Sequence, residues 1–198
     1  MLHKPHKHFK LYKPFGILSQ FNSNCERELR KKRFLSELYN FPEGSMPIGR
    51  LDEKSEGLLL VTTDGKLSDV INRSGIEKEY YAQLDGVITK EAIEKLKTGV
   101  EIGLNGEKYV TKPCTVTKLN VPNLPEPDTK IRLGRHRPNS WISIILIEGK
   151  FRQVRKMTAA VGFPTLRLVR VRIDTITLNL MQPEEVISMP NLQRFISF

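Results

Sequence analysis

Long apolar runs are missing from this chain. No stretch approaches the ~20 apolar residues that a helix needs to cross a bilayer, and the basic segment Met1 to Lys13 lacks the apolar run of a secretory signal. Cysteine is scarce: Cys25 and Cys114 are the only two, and neither stands in a C-x-x-C. Both read as reduced thiols of a cytoplasmic protein. There is no Walker loop, no G-x-G-x-x-G, no zinc-ligand spacing and no internal repeat. His3, His6 and His8 lie close together, but no fourth ligand of metal type is near, so residues 1–9 read as a basic flexible tail. With 198 residues the chain buries roughly 70% of its unfolded surface, enough for a core without disulfides or metal.

Acidic residues are also nearly absent from one long segment. Between Lys130 and Arg172 there are eleven Lys or Arg and a single acid, Glu148. The whole excess of +10 therefore lies in 43 consecutive residues, and the remainder of the chain is neutral. Charge that serves only solubility is normally interspersed. Charge this concentrated favours a polyanion, because each cation near a phosphate releases counterions.

The apolar pattern predicts a mixed order of elements. Phe9 to Lys13 alternates like a short strand, and Pro14-Phe15-Gly16 turns. Glu26 to Tyr39 carries Leu29, Phe34, Leu35 and Leu38 at near-helical spacing. Gly57 to Thr62 is a continuous apolar run, the mark of a strand buried on both faces. Lys66 to Asn72 reads as a short helix with Leu67, Val70 and Ile71 inward. Tyr80 to Leu84 is a strand. Thr89 caps a helix over Lys90 to Thr98 that Gly99 ends. Further strands are predicted at Val110, Thr115 to Leu119 and Trp141 to Ile147, with a helix over Arg152 to Val161. Leu166 to Ile173 alternates apolar residues with Arg, as a half-buried strand with a basic face would. Strands and helices without regular βαβ alternation argue an α+β fold with a mixed, largely antiparallel central sheet flanked by helices.

Four segments combine polar chemistry with sharp turns: Pro47 to Asp52 ahead of the Gly57 strand; Lys78-Glu79-Tyr80; Glu148 to Met157, where a strand gives way to a helix bearing Arg152, Arg155 and Lys156; and the strand with Arg167, Arg170 and Arg172. Arginine at a helix start opposes the dipole, which points to a partner rather than to stability. At the level of residue type, Asp52 is equally a turn aspartate, Tyr80 is more readily a core residue than a stacking one, and the arginines also fit a solvated face.

At these segments the sequence resembles the small-ribosomal-subunit-type branch of the pseudouridine synthases. The signature is GRLDEKSEGLLLVTTDG over Gly49 to Gly65, with Lys13 to Gly16, Lys78-Glu79-Tyr80, Glu148 to Met157 and Val161 to Arg170 in the same order. The run from Pro138 to Arg170 is similar to the branch acting on large-subunit ribosomal RNA. The resemblance implies a catalytic domain over residues 10–190, made of two half-domains with a catalytic cleft between them. It lacks the S4 domain of many relatives, so the catalytic domain would find RNA alone. Phe151 departs from the pattern, since relatives often have a polar residue there.

The implied reaction breaks the N1–C1′ bond of a uridine, turns the base and joins C5 to C1′, with neither metal nor cofactor. By the resemblance Asp52 is the catalytic carboxylate. A carboxylate in a pocket that excludes water keeps its charge beside a cation, here Arg155. Tyr80 would stack on the uracil and take part in removing the C5 proton, and Leu168 would form an apolar wall. Arg50 would hold the displaced strand, and Arg152, Lys156, Arg167 and Arg170 would contact phosphate. The expected partner is 23S ribosomal RNA, met by a cytoplasmic monomer. Small-subunit or transfer RNA as target, and a non-catalytic ribosome-assembly protein on the same fold, stay open.

Overall fold

The computed structural model describes residues 5–73, 75–133 and 138–196. In chain order its elements are β1 (His8–Lys13), β2 (Ile17–Leu18), α1 (Glu26–Lys31), β3 (Arg33–Phe34), β4 (Met46–Ile48), β5 (Glu56–Thr62), α2 (Gly65–Arg73), β6 (Lys78–Asp85), α3 (Lys90–Thr98), β7 (Glu101–Leu104), β8 (Glu107–Val110), β9 (Thr115–Leu119), β10 (Asn139–Leu146), α4 (Gln153–Ala160), β11 (Thr165–Ile173), β12 (Ile176–Thr177) and β13 (Val186–Met189). Short 3-10 turns follow at Leu35–Glu37 and Leu192–Phe195. The chain divides into two compact units, one formed by residues 1–76 with 170–198 and the other by residues 77–169.

In the first unit β1 lies between β5 and β13, antiparallel to both, and β4 pairs β5. All seven residues of β5 are buried, as the unbroken GLLLVT run requires. Leu58, Leu59, Leu60 and Val61 each exclude water completely, and burial of each stabilises by about 1.5–3 kcal/mol. Phe9, Leu11, Ile17, Leu35, Leu59 and Val61 form one core cluster, with Phe21, Leu38, Phe41 and Val186 packed against it.

In the second unit β10 lies between β6 and β9, antiparallel to both. Helix α3 begins at Thr89, whose Oγ1 accepts the Ala92 N–H at 3.2 Å, and it buries Ala92 and Leu96. The β7–β8 hairpin turns through Asn105 and Gly106, both at positive φ (52° and 87°), the backbone that favours Asn-Gly. Strand β11 contributes Thr165–Val169 to this unit and Arg170–Ile173 to the first. Mixed elements and antiparallel ladders make this the α+β fold expected from the sequence.

Four expectations need correction. Residues 8 and 9 are not part of a tail, because His8 and Phe9 are buried in β1. His8 Nδ1 shares a 2.8 Å hydrogen bond with Thr62 Oγ1, and His6 Nδ1 one of 3.3 Å with Thr63 Oγ1; His3 falls outside the described residues. The helix predicted over Glu26 to Tyr39 is only Glu26–Lys31 and buries nothing, while Phe34 and Leu35 reach the core from extended and 3-10 backbone. Leu29 and Phe34 are five residues apart, about 140° around a helix, so one helical face cannot bury both. Val70 is 47% exposed, leaving Leu67 and Ile71 as the buried apolar pair of α2. Finally, β11 does not turn a row of arginines to solvent. Arg167 and Arg170 are 4% and 2% exposed. Side chains alternate along a strand, so Arg167 lies on the face opposite Arg170 and Arg172.

Candidate functional site

Asp52 sits on the loop between β4 and β5, half-buried. The loop is tied down on both sides of it. Ser19 Oγ accepts the Leu51 N–H at 3.0 Å and donates to the Leu51 carbonyl at 2.8 Å. The Glu53 carbonyl accepts the Gly16 N–H at 2.8 Å. Ser55 N donates to the Asp52 carbonyl at 3.0 Å, and Ser55 Oγ approaches Asp52 Oδ2 at 3.5 Å. Gly49 enters the loop at φ +67°, where a Cβ would press on Asn72 Oδ1 at 3.3 Å, so the glycine of the signature is a backbone requirement. Arg50 is exposed beside it.

Behind this loop lies a buried cation that the sequence reading left without a role. Lys13, the last residue of β1, is fully buried. Its Nζ donates to the carbonyls of Ile17 at 2.6 Å, Pro14 at 2.9 Å and Glu53 at 3.5 Å. Burial pushes its pKa down to about 7, against the pull of the Glu56, Asp52 and Glu53 carboxylates, and the Arg170 charge lowers it further. The signal was present, since Lys13 opens the K-P-x-G element, but a lysine at a strand end is ordinarily solvated. Arg170 is buried as well: Nε donates to the Leu58 carbonyl at 2.7 Å, and Nη2 has no hydrogen-bond partner among the described residues. A guanidinium so enclosed belongs to the interior of the first unit and offers nothing to a phosphate on the surface.

The remaining expected residues belong to the second unit. Tyr80 is 9% exposed on β6, opposite Ile144 of β10. Leu168 and Arg167 are buried on β11. Arg152, Arg155 and Lys156 cluster at the start of α4, all half-buried. Arg155 Nη1 donates to the Thr165 carbonyl at 3.2 Å, and Lys156 Nζ to the Gly103 carbonyl at 2.7 Å. Arg152 holds left-handed backbone, φ 52° and ψ 35°, at the N-cap, a conformation that costs a non-glycine residue about 1–3 kcal/mol.

Glu148 and Gln153 build the turn that carries these cations. The Glu148 carboxylate accepts from Tyr109 Oη, Gln153 Nε2 and, at 3.0 Å, Lys112 N. Gln153 Oε1 accepts the Lys150 N–H at 2.9 Å. Burial alone would raise the Glu148 pKa, but these three donors and the charge of Lys150 outweigh it and hold it below the ordinary glutamate value. Nearby, Cys114 Sγ donates to the Leu96 carbonyl at 3.1 Å; burial, with the Glu148 charge, pushes the thiol up to about 11. It is a protonated structural thiol. The Glu148 and Gln153 pair was visible as part of the motif, but Tyr109 and Lys112 were not, because they come from 36 or more residues away. A cavity of about 700 Å3 lies elsewhere, lined by His6, Asp64, Gly65, Lys66, Leu67, Val70 and Gln193, and holds none of the expected site residues.

The family described as RNA pseudouridylate synthase matches residues 7–160. A protein of Xanthomonas axonopodis pv. citri named ribosomal large subunit pseudouridine synthase E is 40% identical over 176 residues, 87% of this chain and 88% of the relative. A protein of the same name from Vibrio parahaemolyticus is 37% identical over 174 residues, 86% of this chain and 68% of the relative. A crystal structure of a pseudouridylate synthase superposes with a TM-score of 0.74 at 24% identity, covering 96% of this chain and 72% of the other. At that identity the likeness speaks for the fold.

Proposed function

The chain belongs to the RNA pseudouridylate synthase family, and from that premise we propose that it isomerises a specific uridine of 23S ribosomal RNA to pseudouridine with Asp52 as the catalytic carboxylate. The relatives named for the large ribosomal subunit support uridine isomerisation in that RNA. The observation that carries the assignment to Asp52 is its setting: the acid of the signature is half-buried on a loop clamped by Ser19, Gly16 and Lys13, immediately before the fully buried β5. A turn aspartate of no function would need no such fixation.

The reaction exchanges one glycosidic bond for another. The N1–C1′ bond breaks, the base turns within the pocket, C5 bonds to C1′, and the proton on C5 leaves. The target must first swing out of its stack, at a cost of a few kcal/mol. Asp52 acts ionised, by adding to the base or by taking a ribose proton. Tyr80 stacks on the uracil and helps remove the C5 proton, and Arg155 brings positive charge to the bound substrate. Leu168 closes the apolar side. Arg50 holds the displaced strand, while Arg152 and Lys156 meet phosphates. The enzyme works as a cytoplasmic monomer, without a cofactor, through a catalytic domain that opens with β1 at His8.

Asp52→Ala is expected to abolish tritium release from C5-labelled 23S RNA while RNA affinity stays within about twofold. Residual isomerisation by the variant defeats the assignment. Mapping of pseudouridine in a strain lacking the gene tests the choice of RNA: a site lost from small-subunit or transfer RNA, with 23S unchanged, overturns the target.

A further inference from the structure

We propose that Phe151 is a stacking platform for an unpaired base of the bound RNA, a subsite distinct from the pocket for the target uridine. The proposal rests on the reading of this chain as an enzyme of RNA. Phe151 stands in the turn between β10 and α4 and is 67% exposed. A lone exposed phenylalanine signifies little; its surroundings give it a use.

Lys156, in the first turns of α4, holds its ammonium 5.1 Å from the Phe151 ring centroid while donating to the Gly103 carbonyl. The cation is thus anchored at two points and covers one face of the ring. The high exposure leaves the rest of the ring to solvent. Lys150 on one side of Phe151 is exposed, with its ammonium 4.9 Å from the Tyr109 ring. Arg152 on the other side turns the chain sharply in left-handed backbone. The nearest acid in sequence, Glu148, is occupied by Tyr109, Lys112 and Gln153. The result is an exposed aromatic ring with one ammonium over it and a cationic residue on either side in the chain, the local carboxylate being already engaged.

Single-stranded RNA calls for this combination. A base finds a sequence-tolerant π-face, and the flanking phosphates find positive charge. Flipping one uridine leaves its neighbours without a stacking partner, and an exposed ring supplies one. The concentration of positive charge favours a polyanion over an apolar protein surface.

The test compares the full chain with Phe151→Ala, Phe151→Leu and Phe151→Trp. Affinity is measured for a fluorescently labelled single-stranded oligouridylate and for 23S RNA, and tritium release from 23S RNA gives kcat and KM. Phe151→Ala and Phe151→Leu are expected to weaken binding about 5- to 150-fold, the span for one lost base stack, and to raise KM with kcat retained. Phe151→Trp restores both, and thermal midpoints stay unchanged because the ring is exposed. Wild-type affinity in Phe151→Ala, or full rescue by Phe151→Leu, overturns the proposal, as does failure of the wild type to bind either RNA. A wild type that binds as expected but releases no tritium sinks the synthase reading instead, and the affinity comparison still decides Phe151.

Discussion

Lys13 shows at the scale of one residue how the fold rewrites a side chain. A lysine at a strand end is expected in water, yet this one is enclosed beside three carboxylates, and burial takes its pKa from 10.5 to about 7. The folded value is depressed, so between pH 7 and 10.5 the unfolded chain binds a proton that the folded chain lacks. Stability therefore rises with pH through that window, and the penalty is fully present below pH 7. Cys114 works in the opposite sense: its value is raised from 9 to about 11, and it subtracts stability as pH climbs above 9. The interval from pH 7 to 9 isolates Lys13. Unfolding free energies from urea titrations across it should rise in the wild type, by at most about 1.4 kcal/mol per pH unit, and flatten in Lys13→Met. An unchanged slope in that variant assigns the effect elsewhere. Sequence alone located Lys13 within a motif and Asp52 within another. It did not show that the first supports the backbone next to the second, because that support runs through the Glu53 carbonyl, 40 residues along the chain.

Among the elements, those with local causes were legible. Helix α3 was predicted with both boundaries, since its start is a threonine cap and its end a glycine. Thr89→Ala should cost about 1 kcal/mol. Gly99→Ala should cost more, about 2–4 kcal/mol, because φ is +102° and the new Cβ would stand 2.3 Å from the Thr111 carbonyl oxygen. Denaturant midpoints of the two variants check the order; equal losses would contradict the geometry. Strand β5 was equally plain, as no arrangement but burial suits four consecutive aliphatic residues. The β7–β8 hairpin was missed although Asn105-Gly106 is a strong turn signal. The segment after α1 was misread because two apolar residues at positions 34 and 35 fit a helical count but are buried from other backbone.

For the whole molecule the charge distribution gives the sharpest expectation. The eleven cations between Lys130 and Arg172 do not all face solvent: Arg167 and Arg170 are interior, and Arg135 and Arg137 lie outside the described residues. Lys150 is exposed and Arg152 and Lys156 are half-buried. Titrations of RNA affinity against salt should give a linear log–log dependence, and Arg152→Ala or Lys156→Ala should each reduce its slope by about 0.7 for a single-stranded site. Arg170→Met should leave the slope untouched. A slope that falls equally for Arg170→Met would place that side chain on the RNA after all.

The amino-acid order by itself determined the family, the α+β class and the elements whose caps and apolar runs are contiguous, and it put forward Asp52 as the candidate carboxylate, because all of these follow from neighbours along the chain. Only the tertiary structure decided which charges are spent inside. Lys13 meets the Ile17 and Glu53 carbonyls, Arg170 meets the Leu58 carbonyl 112 residues away, and Glu148 meets Tyr109, while Phe151 is left in water. Burial and hydrogen bonding sum over groups brought together by folding, and a one-dimensional pattern of residue types carries no record of that sum.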